Sequence, residues 1–219
     1  MMNLEKRRRA SSGTGKYIKF ADPEVERILL PIFSSDGIGI TFEDADMARP
    51  ADFTAFQSLF EGNTLIKYFE EFQYFTYLEK RPTDNPYIWH GTYMTFRNST
   101  LERVVLPPHI QFASAYIFGG CTRLHYLEIP ETLTNIPDQF ISGMAVDGKP
   151  SMVVFRSSTP PTFVSTCFWR RPSTGLTLLV PFTDDHSVLA SYQQAIANVS
   201  QSGDIIIIEL NPDGSIPQN

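Results

Sequence analysis

Leu101-Glu-Arg-Val-Val-Leu-Pro-Pro-His-Ile110 returns in pattern 23 residues later as Leu124-His-Tyr-Leu-Glu-Ile-Pro-Glu-Thr-Leu133. In both stretches an apolar residue opens the run, a second and a third follow at spacings of three and two, and a proline and a further apolar residue close it. Such a run is a short strand that turns at its proline, and a period in the twenties is the signature of a stacked repeat. Leu101, Val104, Leu106, Leu124, Leu127 and Ile129 are therefore predicted to line a core. The intervening Glu102, Arg103, Val105, His125, Tyr126 and Glu128 are predicted at or near the surface.

Outward from this pair, Phe118 and Phe140 stand 22 residues apart and are expected to close one unit against the next. A degenerate third copy runs from Phe140 to Met152-Val-Val-Phe155, distorted by Gly143, Asp147-Gly148 and Pro150. Thr159-Pro-Pro-Thr-Phe163 reads as a rigid extended segment, and Leu176-Thr-Leu-Leu-Val-Pro181 as one more strand ending in proline. Ser187–Ala197 carries Val188, Leu189, Tyr192 and Ala195 at helical spacing. A helix there is expected to cap the open end of the array, which otherwise exposes an apolar face. Ile205-Ile-Ile-Ile-Glu-Leu210 is strongly β-prone and is followed by the turn Asn211-Pro-Asp-Gly-Ser215. Two roles stay open for it, an internal strand or an edge that adds to a partner's sheet.

Towards the N-terminus, residues 1–16 are basic and then rich in Ser and Gly, as in a flexible tail. Asp22-Pro23 predicts a helix start, with Asp22 as N-cap and Pro23 in the first turn, and Val25, Ile28 and Leu29 as its apolar face. Ser34-Ser-Asp-Gly-Ile-Gly-Ile-Thr-Phe-Glu-Asp44 has the outline of a calcium-binding turn between two helices. Asp36 and Gly39 fit its third and sixth positions, but Ser34 is a poor first ligand and Ile38 has no oxygen to offer. The expectation is an eroded turn that kept its shape and binds no metal. Further on, a helix is predicted at about Phe53–Phe60, a strand at Leu65–Phe69, a helical turn at Glu70–Phe75 and a projecting loop at Lys80–Pro86.

The predicted fold class is α+β: a short, irregular leucine-rich-repeat solenoid with an N-terminal helix-loop-helix cap and a C-terminal capping helix. Its divisions are a basic tail (1–16), an aromatic-rich helical cap (17–80), the repeat array with its helix (81–200) and a C-terminal strand and tail (201–219).

A net charge of −6 argues against nucleic acid as a partner, because phosphate binding needs a basic face and the chain's one basic cluster is Lys6-Arg-Arg-Arg9. No stretch approaches the apolar length of a membrane span, and no apolar run follows the N-terminal charges as a secretory signal would require. His90, His109, His125 and His186 are scattered, and the two cysteines, Cys121 and Cys167, form neither a metal motif nor a framework. Cys121 is expected to pack as a small apolar residue. Asp184-Asp185-His186 is the most site-like triplet, but it lies between a strand-ending proline and a helix, where Asp commonly caps. These features predict no catalytic residue and no cofactor.

Taken together, several motifs resemble the BspA-type leucine-rich repeat proteins of gut Bacteroides and their phages. They are Phe20-Ala-Asp-Pro-Glu-Val-Glu-Arg27, the Ser-Asp-Gly-Ile-Gly turn, Phe60-Glu-Gly-Asn-Thr64, Phe69-Glu-Glu-Phe-Gln-Tyr-Phe-Thr76, the Phe-x-x-Cys-x-x-Leu-x-x-Leu-x-Ile-Pro run of 118–130, Thr159-Pro-Pro-Thr162 and the Leu-Val-Pro ending at Pro181. The resemblance spans roughly 17–195. It departs at Ser34 and Ile38, where related chains often carry Asp, and at Asn98 and Ser99, around the usual cysteine position. It implies a surface that works by display, with Arg103, Val105, Tyr126 and Glu128 as candidate protein-binding residues. The expected role is a non-catalytic structural or attachment protein of a phage particle, assembled in the host cytoplasm. Its expected partners are other virion or surface proteins, further copies of itself, or a host protein or glycan. The alternative is an adhesion module of the bacterial cell surface.

Overall fold

The computed structural model describes residues 15–47, 59–75, 95–108, 110, 113, 115–144, 146–169, 175–199 and 205–218. The basic tail (apart from Gly15 and Lys16), the helix expected at 53–60 (apart from its last two residues) and the loop expected at 80–86 lie outside these.

The chain enters through helix α1 (Pro23–Phe33). Asp22 caps it as expected, accepting the Glu24 N–H at 2.9 Å, with Pro23 in the first turn. The acceptor satisfies one of the amides that a helix start leaves without a carbonyl. Val25, Leu29 and Phe33, four residues apart, turn inward. After the loop, Thr41 Oγ1 accepts the Asp44 N–H and Asp44 returns the favour to the Thr41 N–H, starting the short helix α2 (Phe42–Met47). Tyr17 forms an isolated antiparallel bridge with Thr41 and ties the segment before α1 to that loop.

Six parallel strands follow: β1 (Tyr68–Phe69), β2 (Arg103–Val105), β3 (Tyr126–Ile129), β5 (Ser151–Phe155), β7 (Leu176–Val180) and β8 (Ile205–Glu209), lying side by side in chain order. A 3-10 turn, Glu70–Tyr74, leaves β1. Between β3 and β5, and between β5 and β7, the chain donates β4 (Asn135–Ile136) and β6 (Thr162–Phe163) to a separate two-stranded parallel sheet. The last crossover, from β7 to β8, is helix α3 (Ser187–Ala197).

The fold class predicted from the sequence is corrected by this topology. The molecule is an α/β arrangement on one parallel six-stranded sheet, and not a short leucine-rich-repeat solenoid closed by a helix. The doubled motif covers two of the six strands, β2 and β3, and has no counterpart for the two-residue β1 or for the helical crossover into β8. Helix α3 does not cap the array either, since the sheet continues past it. Its buried residues Val188, Tyr192 and Ile196 lie one turn apart. Tyr192 packs on Phe155 with ring centroids 5.4 Å apart and donates its hydroxyl to the Ser157 carbonyl. Pro181 ends β7, and Leu210 donates to the Val180 carbonyl at 2.8 Å, so β8 is fixed in register with β7 over its whole length.

In-register parallel pairing places alternate residues of every strand on the same side. One side carries Phe69, Val104, Leu127, Val153, Leu178 and Ile207, and packs into the main core. Leu101, Val104, Leu106, Leu124, Leu127 and Ile129 are all buried, as predicted. Behind them Phe60, Phe96, Phe118 and Phe140 form a ladder with centroids 5.5, 5.5 and 5.3 Å apart, so the 22-residue spacing of the last two does mark a ring contact. Each such pair contributes about 0.5–1.5 kcal/mol beyond the area it buries.

Candidate interaction surface

The other side of the sheet holds the residues singled out for binding. Arg103 stands opposite Tyr126, and Val105 opposite Glu128. The rows continue as Met152, Thr177 and Ile206, and as Val154, Leu179 and Ile208. All four candidates are brought together on one face, but not as the exposed display predicted for them. Val105, Tyr126 and Glu128 retain 6%, 8% and 5% of their accessible surface. Arg103 alone stays half-exposed.

The cover comes from the end of the chain. Asn211 N–H donates to the Ser215 carbonyl and Gly214 N–H to the Asn211 carbonyl, closing a turn that folds residues 211–216 back. Leu210 and Ile216 then pack with Val105, Tyr126, Val154 and Leu179. Gly214 takes φ +80° with open space around its Cα, the left-handed conformation that such a turn demands of its glycine.

A polar chain crosses the face, from the half-exposed pair Glu70 and Arg103 to Glu128 and Arg156 under this cover. Glu70 Oε1 accepts two bonds from Arg103, at 3.0 and 2.8 Å. The Arg103 guanidinium lies 4.2 Å from the centre of the Tyr126 ring. The Tyr126 hydroxyl donates to Glu128 Oε2 at 2.9 Å, and Arg156 donates to the same oxygen at 2.8 Å and to the Gly214 carbonyl at 3.0 Å. Burial, and then the Glu128 charge, push the Tyr126 phenol well above its ordinary range. Burial works against the charge on Arg156, and the bond and charge of Glu128 outweigh it, so the guanidinium is held above its ordinary range. The arrangement ties the 3-10 turn after β1, strands β2 and β3 and the residue after β5 to the C-terminal turn, and each of its charges is consumed by a partner.

Glu70 and Arg156 were missed by sequence reasoning. Arg156 had a readable signal, since it follows Met152 and Val154 at the strand period of two. Glu70 had none, because its partner lies 33 residues away.

The calcium-like loop is held by a lysine. Asp36 Oδ2 accepts from Lys16 Nζ at 2.7 Å and from the Tyr17 hydroxyl at 2.8 Å, while Oδ1 accepts the Ile38 N–H at 2.9 Å. Ser34 Oγ donates to the Gly39 carbonyl. The Lys16 ammonium, followed by the loop amide and phenol donors, drives the Asp36 carboxyl far below its ordinary range. A side chain at Gly39 would meet the Tyr17 ring at 2.6 Å, so that glycine is required by packing. Among the described residues no three His, Cys, Asp or Glu side chains converge as a metal site. A shallow cleft of about 470 Å³ beside this loop is lined by 15–20 and Glu26.

Cys121 packs as expected, its Sγ donating to the Phe96 carbonyl at 2.7 Å, with burial pushing its thiol up to about 11. Burial pushes the Cys167 thiol up to about 12. In the Asp184-Asp185-His186 triplet, Asp185 accepts the Ser187 N–H and His186 Nδ1 meets Glu209 Oε2 at 2.6 Å, tying the start of α3 to the end of β8. His90 and His109 lie outside the described residues, and no helix among those described is long and apolar enough to cross a membrane.

With the tail closed over the second face, the open part of the sheet is its β8 end. Ile206 is 57% exposed and Ile208 37%. Among the described residues β8 has one ladder neighbour, β7. Comparison with protein-family models, curated proteins and solved structures found no match for this chain.

Proposed function

We propose that the protein is a non-catalytic structural or attachment subunit of a bacteriophage particle, working by protein–protein contact. The observation that carries the contact mechanism is β8, a five-residue strand at the edge of the sheet among the described residues, with Ile206 and Ile208 exposed. Sheet edges of natural proteins are ordinarily blunted by lysine, proline, a bulge or a covering loop. Ile205-Ile-Ile-Ile-Glu209 has neither a lysine nor a proline, and its pairing with β7 runs without a bulge. Such an edge is suited to completion by another chain. The setting in a particle rests on the sequence motifs alone, since no known family, protein or structure matches the chain. The element of contact moves from the second face, which the chain's own tail covers, to the sheet edge.

An adhesion module of the bacterial surface is the second reading, favoured by the exposed Trp169 and Tyr116. They lie on one ridge: Gln139 donates its side-chain amide to the Tyr116 hydroxyl and its backbone N–H to Thr166, whose carbonyl also accepts from Trp169. Exposed aromatics of this kind anchor protein contacts.

Quantitative mass spectrometry of purified phage particles beside the envelope fraction of uninfected cells separates the two. Recovery in particles at fixed stoichiometry is expected. Recovery in the envelope alone would overturn the particle reading in favour of adhesion.

A further inference from the structure

We propose that β8 is a self-association edge, on which two copies of this chain pair antiparallel about a twofold axis through Ile207. The inference rests on the reading of β8 as a contact edge and commits it to one occupant.

In a parallel ladder, alternate residues direct both backbone groups to the same neighbour. The bond from Leu210 N–H to the Val180 carbonyl, with Val180 in register with Glu209, sets the phase. Ile206 and Ile208 share the phase of Leu210, so their amides face β7. The N–H and C=O groups of Ile205, Ile207 and Glu209 face outward. These outward groups call for an extended backbone as the occupant, in preference to a helix face.

A second copy of β8 meets them without adjustment. In an antiparallel pair, hydrogen-bonded and non-hydrogen-bonded residue pairs alternate. A twofold axis at Ile207 makes Ile207 a hydrogen-bonded pair with its own copy, and Ile205 with Glu209 another. Ile206 then falls opposite Ile208 in the closer, non-hydrogen-bonded position. All the outward backbone groups are used, and the four exposed isoleucines of the two copies meet on one face. Glu209 does not oppose this, because its carboxylate is drawn toward the core side by His186 and its side chain is only 12% exposed.

Head-to-tail stacking is the competing arrangement, and the far edge of the sheet argues against it. β1 has two residues in the ladder and turns at Glu70 into a 3-10 helix, so it offers less than half the length of β8. An isologous pair through β8 closes on itself with no strand left over. One strand pair is a small interface beside the roughly 1,000 Å² expected of a stable one, so a weak, reversible dimer is expected.

Sedimentation velocity of the full chain from about 1 to about 200 μM, spanning micromolar affinities, is the direct test. A monomer–dimer equilibrium is expected, weakened at least about tenfold in the double variant Ile206→Lys, Ile208→Lys, a loss of about 1.4 kcal/mol. Both side chains point to solvent, so unchanged circular dichroism is expected to show that the variant folds. Register is read by mixing Ile206→Cys and Ile208→Cys chains under mild oxidation, where the cross-linked heterodimer is expected to exceed either homodimer. A chain that stays monomeric throughout overturns the proposal and leaves the edge to a strand of a different protein, as does a dimer indifferent to the two lysines. Neither result touches recovery of the protein in particles, so the proposed function and this inference fail separately.

Discussion

The two faces of the sheet are built from the same strands and could hardly differ more. One presents Phe69, Val104, Leu127, Val153, Leu178 and Ile207 in register, and it needs nothing but apolar burial against the phenylalanine ladder. The other begins with charge and aromatic side chains at Arg103, Tyr126 and Glu128 and ends with Thr177, Ile206 and Ile208. Its middle is dry only because the C-terminal turn lies over it. The contrast separates residues that make the fold from those that join a terminus to it, and both from residues left over for a partner.

The largest effect is expected on the first face. Phe96 stacks between Phe60 and Phe118 and is fully buried. Phe96→Ala should cost about 3–5 kcal/mol in urea unfolding, the transfer of the ring plus the cavity it leaves. On the second face, Glu128→Ala strands the partly buried Arg156 and should cost about 2–3 kcal/mol. Adding Arg156→Ala should recover part of that loss, which a double-mutant cycle would read as coupling. Equal costs for Glu128→Ala with and without Arg156 would mean that the tail is held by its apolar contacts alone.

A smaller effect is expected with pH, at the 3-10 turn that follows β1. Glu71 accepts the Ala21 N–H at 2.9 Å, but its other carboxylate oxygen is buried with no partner among the described residues, and burial raises its carboxyl above the ordinary range. The folded state therefore holds this proton more tightly than the unfolded chain. Its contribution to stability is full below the ordinary glutamate range and is lost as pH rises through the raised value. Glu71→Gln should flatten that decline and gain roughly 1 kcal/mol at neutral pH, measured by urea unfolding across the acidic range. The smallest effect belongs to Arg103→Ala. Both Arg103 and Glu70 are substantially exposed, and the pair with its ring contact should be worth under about 1 kcal/mol.

The first face was legible in the sequence because its rule is local. Strand alternation and the proline stops of Pro107, Pro130 and Pro181 placed the core residues without knowledge of any partner. The Asp22 cap was legible for the same reason. The second half of Asp22's work was not: its other oxygen accepts the backbone amides of Lys67 and Tyr68, pinning α1 to the start of β1 from 45 residues away. The burial of Val105, Tyr126 and Glu128 was hidden likewise, since polar residues on a strand read as solvent-facing until the turn at 211–215 is known to fold over them. The fold class miscarried because the full doubled motif is a property of two strands, and the sheet's extent is decided by β1 and β8, which lack it, and by β7, which shares only its proline-terminated end. Ile205–Leu210 read equally well as an internal strand or an edge, and among the described residues it forms the sheet's last strand.

The central claim is that β8 belongs to the sheet on one side and stands open on the other. Residue-resolved amide hydrogen exchange in a dilute sample tests it directly. Ile206, Ile208 and Leu210 should be protected, with Ile207 and Glu209 between them exchanging fast. Equal rates along the whole segment would contradict the account, because a strand paired on one side alone must alternate.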